Sequence, residues 1–391
     1  MTDLVTMPPV KCGIEFEYML VDRHGPQAGC LRDFTNLDFT HISQILEDKP
    51  GREDGQLATG DMGVRSGYWY IEGDERFHAD GSFNTFAVKG VEIRTPPEDS
   101  VEAAVARLLE IERQLAQRLE LHGFGLAITA LNPLRASYDY SPPLNDFEKK
   151  LRAEDHEYDG TDISTLTYGP DINLSLPEWD MWHNLDAARK LNYYAPYIVP
   201  FSFGSPFFAG APWHGLSRRT WMRCEIRPAV KLFLEPEELP IMADYSVLVR
   251  PARLAREAGR IEFKAFDAMP SVELLTACSY LLVGMCLSKT LRGRSEVSNV
   301  ALYQRAALTG FADDDIHAGA RTVLEAACNA LDRVGNARAV AALAPLERML
   351  AERTTPAHAM RAEDRMFHSG GLAGSRTDTH DSPAFRVAAA D

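Results

Sequence analysis

The most constraining feature of this sequence is a strand-like segment in which two glutamates alternate with apolar residues. In the segment Gly-Ile-Glu-Phe-Glu-Tyr at residues 13–18, Glu15 and Glu17 occupy alternate positions. Because alternate side chains of a β-strand point to the same face, the two carboxylates share one surface and the apolar side chains share the other. Glutamate is uncommon in strands and like charges on one face repel. The pair therefore predicts a positive group beside it, most simply a divalent cation.

Two later segments repeat this pattern, each with a glutamate followed two positions later by a cation. They contain Glu92 with Arg94 and Glu262 with Lys264. If the three strands belong to one sheet, its polar face carries four carboxylates and at least two cations. Hard oxygen ligands suit Mg²⁺ or Mn²⁺, and bound Mg²⁺ usually also holds substrate phosphates. The pattern predicts a platform for a metal and a nucleotide, whereas the simpler interpretation is a sheet with one solvated face.

Composition limits the classes of partner. The 391 residues carry a formal net charge of −15, with 45% hydrophobic and 25% charged residues, as in a folded protein of one elaborated domain or two. No basic run is present, and neutralising a nucleic-acid backbone takes clustered Lys and Arg. We therefore expect small-molecule substrates and no nucleic-acid partner, and the sequence leaves a homo-oligomer open.

Targeting and cysteine signals favour a cytoplasmic protein without a membrane segment. The first ten residues lack a charged region followed by an apolar core. The apolar stretch at 274–288 is shorter than the roughly 20 residues that span a bilayer, so it predicts a buried helix. Six cysteines are scattered without the spacing of a zinc site or a disulfide framework, which indicates reduced thiols.

The order of the remaining segments predicts mixed helices and strands. A polar, glycine-rich loop is expected at 47–67, and a short strand at 68–71 is followed by a turn at 72–74. A helix begins near residue 100, and a polar strand at 168–177 carries Asp171 and Asn173 on one side. Further helices are expected at 271–291 and 297–353, and small and polar residues from 369 onward predict a loose tail.

This order resembles a known family. Its parts are the E-x-E strand, Glu92 before a Thr-Pro, a long helix, the polar strand, F-G-S-P-F at 203–207 with Ser217-Arg218 downstream, and E-F-K-A-F-D at 262–267 before an apolar helix. The set is similar to the second type of glutamate-cysteine ligase and its bacterial carboxylate-amine ligase relatives, within the glutamine synthetase and guanidino kinase superfamily. The resemblance covers roughly residues 12–292.

The resemblance implies an α+β fold in which a curved, mostly antiparallel sheet has helices on its outer face. One catalytic domain at 1–368, with the loop at 47–67 as an insertion, would precede a flexible tail at 369–391. ATP and Mg²⁺, or Mn²⁺, would bind on the sheet. The implied metal ligands are Glu15, Glu17, Glu92 and Glu262.

The implied reaction is ATP-dependent amide formation through an acyl phosphate. Lys264, in place of the family's arginine, and Arg94 would stabilise charge on the transferred phosphoryl group. Asn173 is the better match to the family's polar strand, and Arg218 or Arg219 would hold the substrate carboxylate by paired hydrogen bonds or else form an ordinary surface pair. Through the resemblance, the donor is glutamate and the acceptor is cysteine, another amino acid or a small amine.

Two other interpretations stay open at this point. His78 and Asp80, with His122, His156 or His183, match the residue types of a non-haem iron oxygenase, but this interpretation leaves the three acidic strands without a role. The second alternative is a non-catalytic relative that keeps the ligase fold to bind a nucleotide or a partner.

Overall fold

The computed structural model describes residues 8–53, 66–154, 160–242 and 246–374. Strands and helices alternate along the first two thirds of the chain, and helices dominate the last third. The strands are β1 Lys11–Asp22, β2 Leu31–Arg32, β3 Trp69–Phe77, β4 Phe83–Arg94, β5 Phe124–Ile128, β6 Pro170–Ser175, β7 Phe207–Phe208, β8 Ala211–Pro212, β9 Val230–Leu234, β10 Val249–Pro251, β11 Ile261–Phe263 and β12 His368–Ser369. The helices are α1 Phe39–Ile45, α2 Val101–Glu120, α3 Asp146–Glu154, α4 Thr161–Leu166, α5 Met181–Ile198, α6 Arg218–Arg223, α7 Leu239–Met242, α8 Val272–Leu287, α9 Val300–Thr309, α10 Asp314–Arg333, α11 Ala337–Ala342, α12 Ala344–Glu352 and α13 Pro356–Ala362.

One large sheet runs through the molecule in the strand order β10-β9-β11-β6-β1-β4-β3. All neighbours along this path are antiparallel except the edge pair of β10 and β9. The second half of β1 leaves this path and pairs with β5 and β2, so one strand serves two sets of partners and the sheet curls around it. The predicted α+β fold, with a curled and mostly antiparallel sheet, is confirmed.

The two faces of the sheet differ in the way that the alternation in β1 predicts. Ile14, Phe16 and Tyr18 have no solvent exposure and point to the side that we call the apolar face, whereas Glu15 and Glu17 point to the polar face. Helix α2 packs on β1 and β5 on the apolar side, and α8 packs against α2, α5 and α10.

Two helices of this layer begin at side-chain caps. Ser100 accepts a hydrogen bond from the backbone of Ala103 at the start of α2, and Ser271 caps α8 in the same way through Leu274. Most of α8 is buried, as predicted for its apolar stretch. No described helix is both long and apolar enough to cross a membrane.

The turn predicted at 72–74 is wrong, because β3 continues through these residues to Phe77. The pairing of β3 with β4 shifts register between Glu72 and Gly73. A Cβ atom on Gly73 would lie 2.1 Å from the carbonyl oxygen of Ala87, so the glycine permits a close approach of the two backbones. The sequence therefore shows a glycine where a strand bulges, and this signal is easily mistaken for a turn.

The segment after α13 folds back onto the sheet. Ser369 of β12 pairs with Ala127 of β5, and the backbone N–H groups of Leu372 and Ala373 donate to the buried Glu112 carboxylate. Residues 369–374 of the predicted tail are therefore packed against the domain, and residues 375–391 lie outside the described part of the chain. Much of the loop predicted at 47–67 also lies outside it, since residues 54–65 are not described.

Candidate active site

Cross-strand pairing brings the acidic side chains of several strands onto the polar face. Glu17 pairs with Glu92 of β4, and Glu15 pairs with Asp171 of β6 on the other side of β1. Directly opposite residues of antiparallel strands point to the same face, with Cβ atoms about 5 Å apart. Strand β11 adds Glu262 on the far side of β6. The three acidic segments predicted to share one sheet do so.

The polar face carries two groups of three carboxylates, and within each group the carboxylates lie close enough together to bind one metal ion. Glu15, Glu92 and Asp171 form triple A, and Glu17, Glu72 and Glu92 form triple B. Within each triple, one oxygen of every residue lies within 4.8 Å of those of the others. Glu92 belongs to both triples. Three of the four predicted metal ligands are in these triples, while Asp171 and Glu72 were not among the predicted ligands.

Glu262, the fourth predicted ligand, belongs to neither triple. Its carboxylate lies 3.5 Å from the Arg260 guanidinium and 3.5 Å from the Lys264 ammonium. Burial would raise the pKa of Glu262, but Lys264, Arg260 and Lys231 outweigh it and lower the pKa below the ordinary value. Glu262 therefore pairs with two cationic side chains, Arg260 and Lys264, and its role as a metal ligand stays a prediction.

The electrostatic surroundings of Glu92 are opposite to those of Glu262, because carboxylates surround Glu92 whereas cationic side chains surround Glu262. Its side chain is 5% exposed and makes no hydrogen bond or ion pair with any described residue. Burial, and then the neighbouring carboxylates of Glu72, Glu15, Glu17 and Asp171, raise its pKa well above the ordinary value. Burial and like charges also raise the pKa of Glu15. A buried carboxylate surrounded by like charges is poorly compensated by the protein itself, and a bound cation would relieve that repulsion.

A buried lysine holds one carboxylate of triple B. Lys89 is 3% exposed, and its ammonium donates to Glu17 Oε1 at 2.5 Å and to the backbone carbonyl of Thr167 at 2.9 Å. The other oxygen of Glu17 accepts the N–H of Gly169 at 2.8 Å. The Lys89 ammonium also lies 5.1 Å from the centre of the Tyr168 ring. Glu17 is thus fixed in orientation through both of its oxygens.

A second lysine holds one carboxylate of triple A. The Lys264 ammonium donates to Asp171 Oδ2 and lies next to Glu262. Burial alone would lower the pKa of Lys264, but Asp171, Glu262 and Glu15 raise it above the ordinary value. Lys264, predicted as a catalytic cation, therefore lies in the acidic cluster, where the neighbouring carboxylates favour its charged form.

Asn173 connects triple A to an arginine that the sequence reasoning did not single out. Its amide nitrogen donates to Glu15 at 3.1 Å, and its amide oxygen accepts from Arg260 at 2.6 Å. The Arg260 guanidinium lies 3.9 Å from the centre of the Phe233 ring, which fixes its plane. Asn173, predicted to bind substrate, orients Glu15 and Arg260 in this structure.

Arg94, the other predicted catalytic cation, lies at the edge of the same face. It pairs across the strands with Glu15, and its Nε donates to the carbonyl of Gly67 at 2.9 Å. Its guanidinium lies 5.1 Å from the centre of the Tyr70 ring. Arg94 is therefore beside the acidic cluster.

The two arginines predicted to bind the substrate carboxylate occupy different environments. Arg219 is 4% exposed and donates to the backbone carbonyls of Lys264 and Ala265. Its position supports the strand end that carries Lys264. Arg218 is half-buried, and its guanidinium lies 4.7 Å from the centre of the Phe208 ring and lines a cavity.

The residue types of the iron-oxygenase interpretation do not assemble into a site within the described residues. His78 and Asp80 lie in the exposed turn between β3 and β4, where Asp80 accepts hydrogen bonds from Ser82. The candidate metal-binding groups among the described residues contain no histidine. His156 lies outside the described part of the chain.

Three residues of the site, Glu72, Arg260 and Lys89, were little indicated by the sequence. Glu72 continues the alternation that begins at Tyr70, but Gly73 beside it suggested a turn. Arg260 stands two residues before Glu262, the same spacing that links Glu262 to Lys264, so it belongs to the same face. Lys89 gave no signal, because its contact with Glu17 depends on the pairing of β1 with β4.

The fold has counterparts among solved structures, although no protein-family model matches the sequence and no curated protein matches it. The bifunctional glutathione synthetase of Pasteurella multocida superposes with a TM-score of 0.56 at 14% identity, over 94% of this chain and 51% of that one. This chain thus spans about half the length of that enzyme.

A second similar structure is the glutamate-cysteine ligase of Francisella tularensis, solved in complex with AMP. It has a TM-score of 0.56 at 11% identity, and the match covers 94% of this chain and 87% of that one. At such low identity the likeness concerns the fold. This chain therefore shares the fold of the Francisella tularensis glutamate-cysteine ligase.

Proposed function

We propose that this protein is an ATP- and Mg²⁺-dependent carboxylate-amine ligase. It joins the side-chain carboxylate of glutamate to an amine, which is cysteine, another amino acid or a small amine. The observation that carries the proposal is the pair of carboxylate triples that share Glu92, a buried carboxylate without a cationic partner among the described residues.

The residues fit the proposed metal well. The triples offer only carboxylate oxygens, the hard ligands that Mg²⁺ prefers and that Mn²⁺ also accepts. Burial, and then the neighbouring carboxylates, raise the pKa of Glu92, and a bound cation would offset both effects. Glu15, Glu92 and Asp171 would hold one cation, and Glu17, Glu72 and Glu92 would hold a second.

In the proposed reaction, the donor carboxylate attacks the γ-phosphorus of ATP, and ADP leaves with the electrons of the broken P–O bond. The amine nitrogen then attacks the acyl carbon, and the C–O bond to phosphate breaks as phosphate leaves. Starting from a carboxylate and an ammonium ion, each turnover yields amide, ADP and phosphate and releases one proton to solvent. Bound Mg²⁺ would supply charge neutralisation at the phosphates.

The protein's own residues would contribute position and charge. Lys89 and Gly169 hold Glu17 in one orientation, and Asn173 holds Glu15, so two carboxylates are set before any ligand arrives. Lys264 and Arg94 bring positive charge to the side where phosphates would lie. Because Lys264 lacks the two-pronged geometry of arginine, it would act as a point charge.

A ligation assay on matched variants tests this proposal. Wild-type protein with ATP and Mg²⁺ is expected to form ADP only when a carboxylate donor and an amine acceptor are both present. Glu92→Gln removes a ligand from both triples and should lower kcat by at least about 100-fold, since metal ions contribute several kcal/mol to such transition states. Glu352→Gln, an exposed change on α12, is the matched control and should leave turnover unchanged.

Direct binding measurements separate the proposal from its alternatives. Calorimetry should detect Mg²⁺ binding to the wild type and much weaker binding to Glu92→Gln. Metal and nucleotide binding without ADP formation, over a panel of amino acids and amines, would instead support a non-catalytic relative. Oxygen uptake that depends on iron would support the oxygenase.

A further inference from the structure

A cavity of about 430 Å³ lies between α4, α6 and the segment around Tyr138. Its volume is in the range of small-molecule pockets, which are about 300–1,000 Å³. It is separate from the two carboxylate triples, none of whose residues line it. Its walls combine apolar side chains with one cation and two carboxylates.

The cation is Arg218, whose side chain makes no hydrogen bond or ion pair with any described residue. Its Nε atom is buried without a partner. The rings of Phe208 and Trp213 lie 4.7 Å and 5.8 Å from the guanidinium carbon and hold the group in place. Burial lowers the pKa of Arg218, so the protein has desolvated this charge without supplying an anion. Such a group is a ready partner for a carboxylate, which it can bind through two parallel hydrogen bonds.

The other residues that line the cavity indicate which features besides a negative charge its ligand would have. Trp221, Met222 and Ile226 give the cavity an apolar wall. Asp162 and Glu225 add two carboxylates, and one oxygen of Asp162 accepts the backbone N–H of Tyr138. Among the described lining residues, Arg218 is the only cation.

Along the chain, the two helices that line the cavity adjoin residues that contact the acidic cluster. Helix α4 leads into Thr167 and Gly169, the two residues whose backbone contacts Lys89 and Glu17. In α6, the residue after Arg218 is Arg219, which donates to the carbonyl of Lys264. A ligand in the cavity would therefore lie against two helices that continue into the contacts of Glu17 and Lys264.

We propose that this cavity binds the amine acceptor and that the acceptor is a monocarboxylic α-amino acid with a bulky apolar side chain. This inference rests on the proposed ligase function. The single cation would bind the α-carboxylate, Asp162 or Glu225 would bind the ammonium group, and the apolar wall would bind the side chain. A dicarboxylic amino acid such as glutamate would bring its second carboxylate against two acidic residues, and the described lining residues offer no second cation to pair it.

Calorimetric titration of the full-length protein tests the recognition without requiring turnover. L-Phenylalanine or L-leucine is expected to bind with one site per chain. Two analogues, 3-phenylpropionate without the ammonium group and phenethylamine without the carboxylate, should bind at least tenfold more weakly than phenylalanine. L-Glutamate should not compete for the site.

Substitution of Arg218 assigns the binding to the cavity. Arg218→Met should weaken phenylalanine and 3-phenylpropionate at least tenfold and change phenethylamine less than twofold. Arg218→Lys should recover part of the loss, because it restores the charge without the paired hydrogen bonds. Arg338→Met, at a side chain that is 81% exposed on α11, is the control and should bind like the wild type. Circular dichroism of each variant checks the fold, and the analogue series on the wild type stands independently of any variant.

The outcomes separate this inference from the proposed function. If neither apolar amino acid binds, if the truncated analogues bind equally well, or if glutamate binds through Arg218, the acceptor assignment is overturned while ligation of another amine remains testable. If phenylalanine binds through Arg218 but no donor yields ADP, the site stands and the ligase function fails.

Discussion

The two faces of β1 belong to the same strand but follow different rules. On the apolar face, Ile14, Phe16 and Tyr18 are fully buried beneath helices, where close packing favours the folded state. On the polar face, Glu15 and Glu17 lie among other carboxylates, where burial and like charges raise the pKa of Glu15. One face stabilises the fold, and the other carries repulsion that a bound cation would relieve.

From this contrast we expect stability and the proposed activity to be separable within one strand. Substitutions on the apolar face should destabilise the protein, whereas substitution of Glu92, which has no cationic partner among the described residues, should remove the proposed activity without unfolding the protein. Proteins often retain such local strain where a ligand binds. The predictions below test how cleanly the two faces separate.

The largest effect on stability is expected from Phe16→Ala on the apolar face. The Phe16 ring has no solvent exposure, and its centre lies 4.9 Å from the centre of the Tyr18 ring. Removing it leaves a cavity and should lower the free energy of unfolding by about 3–5 kcal/mol. Denaturant titration measures this loss, and Glu92→Gln in the same experiment should be at least as stable as the wild type. Equal destabilisation by both variants would break the comparison.

The next effect is expected from Lys89→Met, which removes the buried partner of Glu17. Breaking a buried ion pair costs about 3–5 kcal/mol, and we expect about 2–3 kcal/mol here because the Glu17 side chain is 19% exposed. The double variant Lys89→Met with Glu17→Gln should recover much of that loss, as a double-mutant cycle would measure. No recovery would mean that Lys89 acts through packing alone.

A pH effect follows from Glu92. Its pKa in the folded protein is raised above the ordinary value of 4.5, so the folded state holds this proton more tightly than the unfolded state. The sign of linkage then requires metal-free protein to lose stability as pH rises from about 4.5 through the raised pKa, at no more than about 1.4 kcal/mol per pH unit for one group. Thermal melts at several pH values should show this decline, and Glu92→Gln should reduce it. Saturating Mg²⁺ should reduce it as well, and an unchanged slope in both cases would contradict the assignment.

The smallest effect is expected from Ser100→Ala at the start of α2, which packs on the apolar face. Loss of the hydrogen bond from Ala103 should lower the free energy of unfolding by about 1 kcal/mol. Turnover and Mg²⁺ affinity should stay at wild-type values, because the cap lies on the opposite side of the sheet from the triples. A selective loss of metal affinity in this variant would show that the two faces are coupled.

Period-two alternation is a local property, so it predicted that Glu15 and Glu17 share one face of a strand. The fold class was predicted through the family resemblance, and the placement of Glu92 on the same face depended on the assumption that the strands form one sheet. Which glutamates face other carboxylates and which face cations could not be predicted, since this depends on the register of the strands. Glu15 lies opposite Asp171, whereas Glu262 lies between Arg260 and Lys264, although the local sequence around both glutamates looks similar.

Chain geometry explains the remaining misses. Glu72 was hidden by the register shift at Gly73, where a strand bulge uses the same residue type as a turn. Arg218 and Arg219 are adjacent in sequence and could not be told apart there, yet one faces a cavity and the other holds backbone carbonyls. Consecutive positions on a helix are about 100° apart, so neighbours in sequence need not share an environment.

The packing of residues 368–374 onto β5 and Glu112 has a consequence for synthesis of the chain. Strand β5 lies in the first third of the sequence, and β12, the strand that covers its outer edge, lies more than 200 residues further on. During translation, that edge stays open to pairing with other chains until residue 374 has left the ribosome. A nascent chain of this protein therefore exposes an unpaired strand edge from the time β5 folds until residues 368–374 emerge and cover it.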